Sequence, residues 1–151
     1  MVNVHNFKII SGKHYSGKTT KLLHELYNYI NSGKNPNGLK EPARIEIYAY
    51  NEELLTDLLR RLYTALTSTT GISLSLLTTS KQCVTALKRL PCLQRGLKVG
   101  CHGNVKGSLN RMLSDSEGIV FIDGIHEDLF AELLTNEYSE NLEVVIAVTK
   151  Q

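Results

Sequence analysis

Gly12, Lys13, His14, Tyr15, Ser16, Gly17, Lys18 and Thr19 run G-x-x-x-x-G-K-T. That spacing of small, cationic and hydroxyl residues suits a loop that holds a row of phosphates. The two glycines let the backbone turn its N–H groups inward around phosphate oxygens, and a helix opening near Lys18 adds the positive end of its dipole. Lys18 then reaches the β- and γ-phosphates, and Thr19, followed by Thr20, offers its hydroxyl to Mg²⁺. A turn rich in glycine and serine could match the same letters. The context favours the phosphate reading, because the run Phe7, Lys8, Ile9, Ile10 precedes the loop and a helical pattern follows it.

Ile119, Val120, Phe121, Ile122 and Asp123 form a second constellation, four apolar residues ending in an acid. A buried parallel strand carries such an acid to the carboxyl edge of its sheet, where ligands of these folds bind. There Asp123 can hold the water shell of the magnesium. An acid before Gly124 also suits a simple turn, and the phosphate loop upstream tips the balance to the metal role. A base for the attacking water is less clearly marked. Many ATPases with such a loop place Glu directly after this Asp, whereas here the place is taken by Gly124. Glu52 and Glu53 stand where a second strand gives way to a helix, which brings either acid to the same sheet edge. Acids in a first helical turn also complement the helix dipole without any other role. Glu127 and Asp128, after Gly124, fit that capping role.

The elements that must position these residues alternate. Val4 to Ser11 reads as a strand, and Lys18 to Asn31 as a helix with Leu22, Leu23, Leu26 and Ile30 on one face. Gly33, Pro36, Gly38 and Pro42 punctuate a loop. Arg44 to Tyr50 is β-rich, with Ile45, Ile47 and Ala49 alternating with Glu46, Tyr48 and Tyr50, and a helix from about Glu52 to Leu66 follows. Ile72 to Leu77 is a strand candidate. Thr79 to Leu90 reads as a helix stopped by Pro91, Leu97 to Cys101 as a short strand, and Val105 to Leu113 as a helix. Gly118 to Asp123 is an apolar strand, His126 to Thr135 a helix with Leu129, Phe130, Leu133 and Leu134, and Leu142 to Val148 a last strand. Strands separated by helices predict a three-layer α/β/α domain around a mainly parallel sheet, covering residues 1–151 as a single unit.

Composition sets limits on what that domain does. In 151 residues, 42% hydrophobic, seventeen Lys and Arg face fifteen Asp and Glu for a net charge of +2. Any surface for a polyanion is therefore local. Lys98, Lys106 and Arg111 with His102 could make a basic strip, and scattered surface charge explains them as well. The apolar stretches are too short to cross a bilayer, and Met1 to Phe7 lacks the features of a signal peptide, so a cytoplasmic chain without membrane contact is expected. Cys83, Cys92 and Cys101 are odd in number and lack C-x-x-C spacing, which reads as reduced thiols. A zinc site drawing on His102 and His126 is the alternative, and the intervening elements do not suit one.

Taken in order, Gly12 to Thr19, Ile45 to Glu53 with Leu58 and Arg61, Ile119 to Asp123, and Val144 to Gln151 resemble the RecA-type ATPase core of P-loop NTPases, above all that of replicative hexameric helicases. The resemblance implies Mg-ATP as ligand, a catalytic Glu at the end of the second strand, and a Walker B role for Asp123. It also implies that Thr149 or Gln151 senses the γ-phosphate. Asn51 falls at the family's Glu offset and Glu52 one residue later. Such cores complete their sites at subunit interfaces, so the resemblance implies a homo-oligomer or a partner ATPase, and a setting of replication, recombination or packaging with single-stranded DNA or a nucleic-acid-bound protein nearby. The strands and the DNA-gripping loop that follow the sensor strand in helicases are missing from this sequence. Arg44, Arg60, Arg61, Arg89, Arg95 and Arg111 are all available as an arginine finger, and spacing does not choose among them. Tyr15 to Thr19 also resemble the phosphate loop of thymidine kinases, although little chain follows Asp123 to form a lid. Three readings result: an ATPase, a nucleoside or nucleotide kinase, and a nucleotide-gated binding module with little hydrolysis.

Overall fold

Phe7–Gly12 (β1), Ile45–Ala49 (β2), Leu97–Cys101 (β3), Gly118–His126 (β4) and Leu142–Thr149 (β5) form one sheet in the order β1-β5-β4-β2-β3. All four pairings are parallel. The computed structural model describes residues 7–13, 17–32, 45–68, 76–93, 97–101, 113 and 118–150. Among these residues four α-helices accompany the sheet, Lys18–Ser32 (α1), Glu52–Thr67 (α2), Ser80–Lys88 (α3) and Glu127–Leu133 (α4), with a 3₁₀ turn at Pro91–Leu93.

The direction of each crossover decides which face its helix covers. From β1 to β2 and from β2 to β3 the chain steps one way along the sheet; from β3 to β4 and from β4 to β5 it steps back. Right-handed connections therefore put α1, α2 and α3 on one face and the later segments on the other. The packing agrees. Leu22, Leu26 and Ile30 of α1, Leu55, Leu58, Leu59 and Leu62 of α2, and Leu87 of α3 bury against Ile45, Ile47, Phe121 and Ala147. Leu133 of α4 and Leu113 bury against Tyr48, Val120, Ile122 and Ile146. Helices on both faces of a parallel sheet are compatible with a three-layer α/β/α fold. Each fully buried leucine of this kind contributes about 1.5–3 kcal/mol, enough for four of them to fix α2 rigidly on the sheet.

Local signals set the helix ends. The Asn51 side chain caps α2 by accepting from the Leu54 N–H at 2.8 Å, and Ser68 closes it in the left-handed region at φ 58°. Thr79 and Gln82 form a reciprocal capping box at the start of α3, which removes two unsatisfied N–H donors at once.

Several expectations shift. In β2 the residues that alternate with Ile45, Ile47 and Ala49 are buried as well, because β2 is flanked by β4 and β3 and covered on both sides. Glu46 is tolerated there with Lys98 of β3 at 3.4 Å. β4 runs on past Asp123 to His126, so α4 begins at Glu127 and ends at Leu133, shorter than the hydrophobic pattern predicted. Leu76 and Leu77 are not in a strand; the rest of the 72–77 candidate, positions 4–6 of the first strand, and the 105–113 helix apart from Leu113 lie outside the described residues. Among the described residues no helix is long and apolar enough to cross a membrane.

Candidate active site

An all-parallel sheet presents every strand's carboxyl end at one edge, and the register decides which ends meet. Gly12 stands opposite Thr149, Asp123 opposite Ala49, and His126 opposite Thr149. The Lys150 N–H donates to the Gly12 carbonyl at 2.8 Å, tying β5 to the residue where the loop after β1 begins. Above this edge lies an open cleft of about 870 Å³, lined from α1 by Gly17, Lys18, Thr19 and Thr20, from β4 by Asp123, Gly124 and His126, and from β5 by Thr149. The start of α2 closes the far wall with Glu53, Asp57 and Arg61.

Gly17 opens α1 with φ +84°, a conformation that side-chain-bearing residues rarely adopt, and an added Cβ there would meet open space. The need for glycine at this position is thus conformational. α1 carries no acid in its first turn, whereas α2 and α4 each carry two. Its N-terminal dipole is therefore not offset by an acid of its own first turn. Lys18 is buried at 8% exposure, and its Nζ donates to the Lys13 carbonyl at 2.5 Å across the loop.

The two constellations singled out in the sequence meet at Thr19 and Asp123, 104 residues apart. The Thr19 hydroxyl lies 3.0 Å from Asp123 Oδ2 and 3.3 Å from Oδ1. Asp123 is 1% exposed. Burial pushes its carboxyl above the ordinary range, while the Thr19 hydrogen bond and the charges of Lys18 and Arg61 pull the other way. A hydroxyl and a buried carboxylate side by side, facing a cleft, are hard oxygen donors that fit Mg²⁺. That ion is commonly held by one or two protein oxygens plus water and phosphate. Among the described residues no group of three or more His, Cys, Asp or Glu could hold a metal by itself.

The raised carboxyl has a consequence for stability without nucleotide. A folded-state pKa above the unfolded one favours the protonated form, so this contribution is fully present below the unfolded value and is lost as pH rises through the folded one. Asp123→Asn is expected to remove that loss. Urea titrations across pH should give the variant a flatter profile from acid to neutral pH and a midpoint above wild type at neutral pH. Parallel profiles for the two proteins would remove Asp123 as the source.

The two candidate bases part company. Glu52 turns away from the cleft: its carboxylate accepts from the Ser80 N–H at 3.3 Å and from the Ser80 hydroxyl, linking α2 to the start of α3. Glu53 lines the cleft. Asn51, at the family's Glu offset, is the cap of α2. Thr149 is 5% exposed at the cleft floor. Glu127 and Asp128 occupy the first turn of α4, where they complement its dipole. His14, Tyr15, Ser16 and Gln151 lie outside the described residues, as do Arg44, Arg95, His102, Lys106 and Arg111. Cys83 is buried, and burial raises its thiol against the opposing charge of Arg60.

Sequence reasoning named Arg61 and Thr20 without joining them, and it missed Asp57 and the contact of Tyr50 with His126. Arg61 Nη2 donates to Thr20 Oγ1 at 2.8 Å, and its Nη1 stands 3.8 Å from Asp57. Tyr50 and His126 meet edge to face at 5.4 Å and 87° beside Gly124. A signal for the first group was present, since Glu53, Asp57 and Arg61 recur every four residues and so form one polar stripe along α2. Compared with known proteins, the chain matches no protein-family model and no curated sequence.

Proposed function

We propose that this chain is a P-loop nucleoside triphosphatase that binds Mg-ATP in the cleft above the sheet and hydrolyses it to ADP and phosphate. The observation that carries the reading is the contact of the Thr19 hydroxyl with the Asp123 carboxylate. It joins a G-x-x-x-x-G-K-T loop to an acid that follows four apolar residues within β4, a pairing that phosphoryl transfer with a metal uses. Lys18 and the N–H groups at the start of α1 stabilise charge on the phosphates. Thr19 and Asp123 hold the magnesium, which when bound spreads the charge of the phosphate oxygens. Glu53 orients a water whose oxygen bonds to the γ-phosphorus as the bond to the β–γ bridging oxygen breaks. ADP leaves with the electron pair, and the water's proton passes to the carboxylate. Thr149 reports the γ-phosphate from the cleft floor. The helicase resemblance sets this turnover beside nucleic acid, in an oligomer or with a partner ATPase.

Phosphate release measured with ATP alone, with single-stranded DNA and with added nucleosides tests the reading. Release that DNA stimulates, with binding that weakens steeply in salt, fits the proposal. Transfer to an added nucleoside identifies a kinase, and tight ATP binding without turnover identifies a nucleotide-gated module. Within the ATPase reading, Glu53→Gln is expected to lower turnover by about 10²-fold or more, in the range of general-base catalysis. Glu52→Gln should instead leave turnover near wild type and lower the melting temperature, because its partner is Ser80. The reverse pattern would reassign the base.

A further inference from the structure

We infer that Arg61 is the arginine that stabilises the transferring phosphoryl group, supplied by the same chain, so that each chain carries a complete catalytic site. The inference rests on the triphosphatase reading above and goes beyond it in naming the cation and its source. In ATPases of this chemistry an arginine comes either from a neighbouring subunit or from the chain itself. Among the described residues, Arg61 is the arginine that lines the phosphate cleft.

Its placement follows from α2. Leu55, Leu58, Leu59 and Leu62 fasten one face of this helix to the sheet, which leaves Glu53, Asp57 and Arg61 along the wall of the cleft. Helical side chains lean toward their own N-terminus. For α2 that direction is the carboxyl edge of the sheet, where the phosphate loop opens. The guanidinium consequently reaches the first turn of α1 and donates from Nη2 to Thr20 Oγ1 at 2.8 Å, one residue beyond the Thr19 that contacts Asp123. Its charge is felt at Asp123, where it lowers the carboxyl's pKa.

The way Arg61 is held suits transfer to a ligand. Its bond to Thr20 is to a neutral hydroxyl, and the Asp57 carboxylate at 3.8 Å is too distant for a tight ion pair. The side chain is 36% exposed, so moving it onto an oxygen that bears developing negative charge exchanges a weak neutral contact for a charge-assisted one. The bond to Thr20 keeps the guanidinium over the cleft, and Asp57, four residues earlier on the same face, adds only a loose contact. The step needs no further reactant: water attacks, ADP leaves, and Arg61 neutralises oxygen charge without bonding covalently to either.

Two variants and two readouts test this on the full chain. Arg61→Ala removes the group. Arg61→Gln keeps a donor for Thr20 and loses the charge. Both are expected to lower kcat by roughly 10³-fold or more, with the calorimetric affinity for Mg-ATP close to wild type, the pattern of an interaction made in the transition state. Wild-type turnover per chain should stay constant as the protein is diluted through its range of self-association. Near wild-type turnover of the glutamine variant would overturn the inference, as would specific activity that falls on dilution and returns on concentration. Joint loss of affinity and turnover in both variants would overturn it too, since Arg61 would then be bracing α1. A wild-type chain that gives no heat with Mg-ATP removes the triphosphatase reading itself. Normal affinity in all three proteins with normal turnover in the variants removes Arg61 alone.

Discussion

Lys18→Ala is expected to lower the proposed ATP turnover by about 10²- to 10³-fold, the loss that follows removal of one preorganised charge donor from a phosphoryl or acyl transfer site. Lys18 is a cation at 8% exposure held on the Lys13 carbonyl. A buried ammonium is tolerated where an anion comes to meet it. In the proposed site its loss leaves the loop amides in place and takes away a buried positive charge from the phosphates. The variant also removes one of the influences that hold down the Asp123 carboxyl, so more of Asp123 is protonated at a given pH. The residual turnover should therefore demand a higher pH than wild type to reach its plateau. Steady-state phosphate release against pH, with calorimetry of Mg-ATP binding, measures both effects. Unchanged turnover in this variant would mean that the cleft is not the site of hydrolysis.

Gly124→Ala is expected to destabilise the fold by roughly 1–3 kcal/mol, the cost of a left-handed backbone with a tight contact at Tyr50. Gly124 has φ +84°, and a Cβ built on it would stand 2.7 Å from Leu54 Cδ2 and 3.1 Å from Tyr50 Cβ. Leu54 Cδ2 is the far end of a partly buried side chain that lines the cleft and can swing aside, so the backbone conformation and the Tyr50 Cβ carry the cost. Against a total stability of about 5–15 kcal/mol for a domain, such a loss is large. The urea midpoint should fall with an unchanged slope. The same geometry explains why the residue after Asp123 is no glutamate in this chain: a longer side chain would collide with Leu54 and Tyr50. Gly124→Glu is expected to lose stability without gaining a base. A stable, more active variant would refute this account of the position.

What the sequence revealed followed the strength of local periodicity. Leu22, Leu26 and Ile30 mark one face of α1 unambiguously, and the apolar run ending at Asp123 reads as a central strand. Their meeting at Thr19 follows from the parallel order. In β2 the alternation of Glu46 and Tyr48 with isoleucines left the surroundings of that face undecided. Their burial depends on Lys98 from β3 and on the second apolar layer, which only the assembled sheet supplies. Glu52 and Glu53 were equivalent as letters. They separate because adjacent positions on a helix point about 100° apart, which sends one toward Ser80 and leaves the other on the cleft.

The irregular stretch of β4 between Ile122 and Ile125 changes what a single strand can deliver. Ile119 and Phe121 face α1 and α2, whereas Ile125, of the same parity, faces the opposite core. One residue too many for the β5 ladder has inverted the pleat at that point. Asp123 before the inversion and His126 after it therefore both line the cleft, three positions apart, where strict alternation would have sent one of them into hydrocarbon. Drawing β4 into a regular ladder at unchanged length would force a choice between the acid and the imidazole. The defect in the sheet is what lets two neighbouring polar groups share one side of it.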